Sequence, residues 1–144
     1  MAIYRRILVA VDLTQDSPYI AQRGRALASA LDADLELLHV VEPAPMLLPI
    51  SAEAAGPDLV QSQDELLASA RRDMSELAGN LGVADSQWSV QIGSTKTEIV
   101  RIASERLADV IVLGRRERHG LSLTEDAVLH KAPCDVLAVR IGSA

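Results

Sequence analysis

Five apolar runs alternate along the chain with segments whose apolar residues recur every three or four positions. The runs predict strands at residues 5–13, 34–42, 87–93, 109–114 and 135–141. The periodic segments predict helices from 17 to about 32, from 58 to about 81, from 95 to shortly before 109, and around 124–131. Strands that alternate with helices predict one doubly wound α/β domain over residues 1–144, with a parallel sheet and helices on both of its faces.

Residues between these elements predict where two helices start and where one long connection lies. Ser17, followed by Pro18, is expected to cap the first helix. Thr95, with Glu98 three residues later, indicates a capping box at the third helix. Residues 43–57 contain four prolines and a glycine without a clear period, so they are predicted to form a long loop.

The formal net charge of −6 and the scarcity of aromatic residues argue against several kinds of partner. An acidic chain disfavours nonspecific binding to nucleic acid or anionic membranes, and one Trp and two Tyr without Phe offer no stacking platform. No apolar run approaches the roughly 20 residues of a membrane span. The first run follows two arginines but ends at Asp12 without a cleavage pattern. We therefore expect a cytoplasmic protein with no nucleic-acid or membrane partner.

Cysteine and histidine give no sign of a metal site. The single cysteine, Cys134, allows no internal disulfide, which agrees with a reducing compartment, and it is expected to be a small core residue. His39, His119 and His130 are scattered over different elements, so no metal triad is expected. His39 is predicted to be partly buried with its ring hydrogen-bonded.

The carboxyl ends of the strands are the places to look for a ligand, because open parallel sheets bind ligands where the winding direction reverses. Asp12 leaves the first strand at the expected reversal point. Its carboxylate can accept hydrogen bonds from a ribose diol or from the amides of the following helix, and both alternatives stay open. The chain contains no P-loop, no G-x-G-x-x-G after the first strand and no G-x-S-x-G turn.

Five stretches, in this order and covering nearly the whole chain, resemble the universal stress protein family, specifically its small single-domain bacterial type. They are "ILVAVDLT", "LELLHVVEP", "TEIVRIASERLADVIVLG", "RHGLSL" and "VLHKAPCDVLAVR". The resemblance implies a Rossmann-like sheet with strand order 3-2-1-4-5. It also implies a homodimer that pairs the last strand with its copy through Val136, Leu137, Ala138 and Val139. The apolar residues Met46, Leu47, Leu48 and Ile50 of the predicted loop are an alternative cover for a sheet edge or a partner.

The resemblance further implies a site for ATP, ADP or AMP. Nucleotide-binding members carry G-x-x-G-(nine residues)-G-[ST] after the fourth strand, where loop amides hold the phosphates. The positions that match the adenine and ribose part are Ala10, Val11, Asp12 and Val40. Those that match the phosphate part are Leu113, Gly114, Arg118, His119 and Gly120. Arg115, Arg116 and Arg118 are candidate cations for phosphate, and Thr124 is the hydroxyl residue nearest the end of the motif.

The same motif departs from the family pattern at two places. Glu117 stands where the second glycine belongs, and a like charge about 4 Å from phosphate costs on the order of 4 kcal/mol at a dielectric of about 20. About four or five residues, including the final glycine and hydroxyl residue, are missing before Thr124. Glu125 and Asp126 then occupy the first helical turn, where they satisfy the amides that a phosphate would use.

Two functional hypotheses follow from the resemblance and its departures. The preferred one is a stress-response dimer that is no enzyme, requires no cofactor and acts through unidentified protein partners, with a degenerate nucleotide pocket. The alternative is an ATP-, ADP- or AMP-binding protein, with or without slow ATP hydrolysis. A nucleotidyl-transferring enzyme of the same fold has no motif in this sequence.

Overall fold

In the part of the chain that the structure describes, nine helices and strands follow one another in the order that the hydrophobic pattern predicts. The computed structural model describes residues 3–43, 52–116 and 123–141, and it describes their side chains apart from residues 52–62, 116 and 123. The strands are β1 (Arg6–Ala10), β2 (Asp34–Val41), β3 (Trp88–Ile92), β4 (Val110–Arg116) and β5 (Asp135–Ile141). The helices are α1 (Ser17–Leu31), α2 (Ala52–Leu81), α3 (Thr95–Glu105) and α4 (Leu123–Lys131), and a 3-10 turn, Asp85–Gln87, precedes β3.

The five strands form one parallel sheet in the order β3-β2-β1-β4-β5. The fold class and the strand order that were expected are therefore confirmed. The chain winds from β1 through β2 to β3 in one direction and from β4 to β5 in the other, so the winding reverses between β1 and β4. Val9 pairs with Val112 across this boundary. The carboxyl ends of these two strands lie side by side there.

Alternate residues of the strands pack on opposite faces of the sheet, and each face has its own helices. Ile7 and Val9 of β1 belong to the core under α1 and α2, whereas Leu8 between them belongs to the core under α3 and α4. All three are buried. This double burial explains why the central strands are continuous apolar runs rather than alternating ones.

Three helices end in the same way, with one residue in the left-handed region. These residues are Asp32 (φ 52°), Gly82 (φ 70°) and Leu107 (φ 54°). In each case the next amide turns back to a carbonyl of the last helical turn, at 2.8 Å for Ala33 to Ala28, 2.8 Å for Val83 to Ala78 and 2.9 Å for Ala108 to Ala103. This is the geometry of a Schellman cap. The predicted ends near 32, 81 and 109 are confirmed.

The two predicted helix caps are wrong. Asp16 is the N-cap of α1, and Ser17 is its first helical residue, whose hydroxyl donates to the Asp12 carboxylate at 3.0 Å. Ser94 is the N-cap of α3, and the side chains of Ser94 and Asp16 make no capping hydrogen bond. The Thr95 amide donates instead to the Glu42 carboxylate at 3.0 Å. Carboxylates at strand exits contact both helix starts: Asp12 after β1 is local to α1, whereas Glu42 after β2 is a tertiary partner of α3.

The predicted loop at 43–57 does not extend to residue 57, because α2 already begins at Ala52. Residues 52–55 are Ala-Glu-Ala-Ala, all strong helix formers, and their preference outweighs the local breaking tendency of Gly56 and Pro57. The apolar residues proposed as an alternative cover, Met46, Leu47, Leu48 and Ile50, lie outside the described residues.

Candidate functional site

The β1–β2 ladder stops at the carboxyl end of β1, where a side chain replaces the next backbone contact. The Val11 amide donates to the Leu38 carbonyl at 2.9 Å, as in a continuing parallel ladder. The next step would be a hydrogen bond from the Val40 amide to the Val11 carbonyl, and no such bond is present among the residues that the structure describes. The His39 ring takes its place, with Nδ1 at 2.7 Å from the Val11 oxygen. The expectation of a partly buried, hydrogen-bonded His39 is confirmed.

This contact assigns the ring's proton. A carbonyl oxygen only accepts hydrogen bonds, so Nδ1 of His39 must carry a hydrogen. The chain after Val11 departs from β2, and the Val40 amide is left at the edge of the opening between them. Val40 is a buried residue of the core.

Asp12 organises the turn that leads from β1 into α1. Its Oδ1 accepts hydrogen bonds from the Thr14 amide at 3.1 Å, the Thr14 hydroxyl at 2.7 Å and the Ser17 hydroxyl at 3.0 Å. Leu13, between Asp12 and Thr14, has a φ of 60°, a backbone angle that residues other than glycine rarely adopt. Partial burial raises the pKa of the Asp12 carboxyl, but the hydrogen bonds from Thr14 and Ser17 outweigh it and hold the pKa below its usual value.

The two alternatives for Asp12 can now be weighed. The carboxylate does not cap α1 through its amides, since it contacts the amide and hydroxyl of Thr14, ahead of the helix, and only the hydroxyl of Ser17, its first residue. Its three hydrogen bonds converge on Oδ1, while the side chain as a whole is exposed. Asp12 thus builds a turn and remains an ionised carboxylate at the surface of the sheet's reversal point.

β4 continues past the residue where it was predicted to end. The strand runs through Arg116, and Gly114, Arg115 and Arg116 pair with Val139, Arg140 and Ile141 of β5. Gly114 therefore lies within a paired strand, not at the start of a loop. A Cβ at this position would lie against Cδ1 of Ile20 on α1 and 2.7 Å from Cδ1 of Ile141. Close packing of α1 on β4 and β5 is a sufficient reason for this glycine.

The remaining predicted residues are distributed as follows. Leu113 and Gly114 follow Val112 in the register with β1, and so they lie beside Ala10 and Val11 in the sheet. Thr124 is half-buried in the first turn of α4, next to Glu125 and Asp126. Arg118, His119 and Gly120 lie outside the described residues, as does the side chain of Arg116. The nucleoside positions come together at one end of the sheet, and the assignment of ligand contacts to them stays a prediction.

Sequence reasoning missed Glu42 as a functional group of this end of the sheet. Its carboxylate accepts from the Thr95 amide at the amino end of α3, where a bound anion would otherwise find free amides. The signal was present, because an acidic residue follows β2 directly and strand exits gather near helix starts in this topology.

Other chemistry is sparse in the part of the chain that the structure describes. Residues 3–43, 52–116 and 123–141 contain no group of three or more His, Cys, Asp or Glu side chains that could hold a metal ion. No helix within these ranges combines the length and apolar character that crossing a membrane requires. Cys134 is half-buried and packs against the core under α3 and α4, as expected. Burial and, to a lesser degree, the nearby Asp135 carboxylate raise the pKa of its thiol, which makes it a poor nucleophile.

Comparison with known proteins adds a family and a fold. Residues 3–140 match the model of the universal stress protein family. Universal stress protein A homolog 2 of Coxiella burnetii is 38% identical over 144 residues, with 96% of each chain covered. The solved structure of UspA from Lactobacillus plantarum has a TM-score of 0.77 at 25% identity, covering 95% of this chain and 98% of that one. A universal stress protein solved in complex with cAMP has a TM-score of 0.59 at 22% identity, covering 94% and 96%, and shares the fold.

Proposed function

Because the chain belongs to the universal stress protein family, we propose that it is a stress-response protein with a nucleotide pocket that keeps its nucleoside half and lacks its triphosphate half. In this proposal the protein is a cytoplasmic homodimer that acts through protein partners, and it binds rather than catalyses. A nucleotide is a ligand of the pocket, not a required cofactor.

The observation that carries the proposal is the path of β4. A phosphate loop needs backbone amides that are free to turn toward the ligand. Gly114, Arg115 and Arg116 instead continue β4 as a strand in register with β5, so they do not begin a loop. Farther along the chain, α4 starts with Glu125 and Asp126 in its first turn. Carboxylates at that position compete with a phosphate for the helix amides.

The nucleoside half is supported by the geometry between β1 and β2. The Val40 amide lies at the opening of the ladder without a backbone partner in β1 among the described residues, and the ionised Asp12 carboxylate lies on the adjacent turn. One donor and one acceptor at a strand end match the edge of a base and the diol of a ribose. The cAMP complex of the universal stress protein that shares the fold gives independent support, since cAMP is an adenine nucleotide with a single phosphate.

The homodimer is supported by the free edge of the sheet. β5 pairs with β4 on one side, and no described strand lies on its other side. Leu137 of β5 is 44% exposed, although its neighbours Val136 and Ala138 are apolar and half-buried. Of the four residues expected at the interface, Val139 is already buried in the chain's own core, so it would contribute backbone rather than side-chain contacts.

Calorimetric titration with adenosine, AMP and ATP tests this division of the pocket. We expect adenosine and AMP to bind, and ATP to bind no more than about threefold more tightly than adenosine, because no preorganised amides receive the outer phosphates. The matched variant Arg115→Gln should leave all three affinities unchanged.

The runner-up function, ATP binding with slow hydrolysis, gives the opposite pattern. Arg115 is half-buried at the end of β4, and a charge-assisted contact from it could hold phosphate. In that case ATP would bind on the order of a hundredfold more tightly than adenosine, and Arg115→Gln would abolish the difference. That result would overturn the proposal, and so would the absence of any adenosine binding.

A further inference from the structure

The parallel register and the His39 side chain offer the Val11 carbonyl two donors at the end of the β1–β2 ladder. One donor is the backbone amide of Val40, which the parallel register would bring to this carbonyl in the next ladder step. The other is Nδ1 of the His39 ring, at 2.7 Å. The structure contains the second contact, and among its described residues it lacks the first.

The missing hydrogen bond between the Val40 amide and the Val11 carbonyl matters for any ligand at this edge. A backbone amide that pairs with the adjacent strand is not available to a ligand. An amide without such a partner can donate to an acceptor atom of a ligand. The preceding step, from the Val11 amide to the Leu38 carbonyl at 2.9 Å, is intact, so the two strands are still within pairing distance when the ladder breaks. The ladder thus breaks at the carbonyl that the His39 ring contacts.

We propose that His39 is a positioning residue, whose Nδ1–H holds the Val11 carbonyl out of the ladder and so keeps the Val40 amide open to an acceptor atom of a nucleoside base. The identity of this ligand rests on the proposed function, while the effect of His39 on the ladder does not. His39 contacts no ligand itself in this proposal. It acts through Val11 and Val40.

Two substitutions separate the donor from the bulk of the ring. In His39→Asn the amide Nδ2 takes the position of Nδ1 and can donate to the Val11 carbonyl. In His39→Leu a side chain of similar branching and greater apolarity has no donor. If His39 only fills space, the two variants should differ in stability, and hydrogen exchange of the Val40 amide should not distinguish them.

The first measurement is hydrogen exchange of the Val40 amide in the ligand-free protein, followed by NMR. We expect rapid exchange in the parent and in His39→Asn, and exchange slowed by at least about tenfold in His39→Leu, because the ladder closes on the Val11 carbonyl. Equal Val40 exchange in the parent and in a folded His39→Leu would overturn the proposal. The parent alone supplies a second test, since ring nitrogen shifts that place the proton on Nε2 rather than Nδ1 would also overturn it.

The second measurement is adenosine affinity. His39→Asn should bind within about threefold of the parent and His39→Leu about tenfold more weakly, the effect of one hydrogen bond. If the parent binds no adenosine, the nucleoside half of the proposed function fails, and Val40 exchange still decides the role of His39. If adenosine binds equally to all three proteins, His39 does not position the site and this inference fails alone.

Discussion

At the scale of single residues, the Asp109 carboxylate joins the amino-terminal ends of β1 and β4. Its Oδ2 accepts from the Arg5 amide at 2.7 Å and from the Arg6 amide at 2.9 Å. These two hydrogen bonds, Arg5 first, lower the pKa of the carboxyl, and they outweigh an opposing effect of desolvation. A carboxyl whose pKa is lower in the folded state than in the unfolded chain stabilises the fold only while it is ionised.

Replacing Asp109 with Asn should therefore lower stability in a pH-dependent way. At about pH 7 the parent is ionised, and Asp109→Asn loses the charge assistance of both hydrogen bonds, so its free energy of unfolding should be lower. As the pH falls from about 4 through the lowered folded-state pKa, the parent carboxyl becomes neutral as well, and the difference should shrink. Urea unfolding of both proteins at about pH 7 and about pH 3 measures this. A difference that stays constant over this range would contradict the role assigned to the charge.

Single residues were also where sequence reasoning was weakest. Asp12 could be placed at the reversal of the sheet, but whether it bound a ligand or a helix amide depended on hydroxyl groups whose positions only the folded turn defines. Ser17 and Thr95 have the right residue types for helix caps, and neither caps, because acidic residues on the strand exits engage them first. The geometry of the folded turn decided the first two cases, and Glu42, 53 residues away in sequence, decided the case of Thr95.

At the scale of elements, glycines mark where a helix packs closely and where it does not. Gly24 of α1 faces β1, and a Cβ built there would overlap Cγ2 of the buried Val9. Gly79 of α2 has no atom within 4 Å of the corresponding position. The two glycines therefore form a matched pair, since both lie inside helices and only one lies against the sheet.

Alanine at these two positions should change stability in opposite directions. Gly24→Ala should destabilise the protein, because overpacking against a β-branched side chain costs about 1–3 kcal/mol and exceeds the gain of roughly 1 kcal/mol in helix propensity. Gly79→Ala has only the propensity gain and should stabilise by up to about 1 kcal/mol. Urea-unfolding midpoints of the two variants give the comparison. Stabilisation by both substitutions would show that α1 can shift away from β1 without cost.

Elements were predicted well where burial alone shapes the sequence. The apolar pattern located all five strands, most clearly β1 and β4, whose central residues are buried on both faces. Two boundaries were wrong, the start of α2 at Ala52 and the end of β4 at Arg116, because glycine or proline signals nearby suggested a break that the folded chain does not make. Arg115 and Arg116 follow a buried run, and their pairing with β5 extends the strand.

At the scale of the whole molecule, the described sheet has two edge strands. β3 is one edge and β5 is the other. Each carries one exposed aliphatic residue of similar exposure, Ile92 at 43% on β3 and Leu137 at 44% on β5. Strand order could be taken from the family resemblance and is confirmed, whereas the choice of the edge that pairs with a second copy depends on surfaces outside a single chain.

A lysine on each edge discriminates between them. In the proposed dimer two β5 strands pair antiparallel, so Leu137→Lys brings two like charges toward each other and places them in an apolar strand. We expect this variant to sediment as a monomer while the parent and Ile92→Lys sediment as dimers. Both substitutions add the same charge at nearly the same exposure, so a general effect of charge on solubility would act on them equally. Dissociation by Ile92→Lys alone would move the interface to β3, and a monomeric parent would remove the dimer from the proposed function.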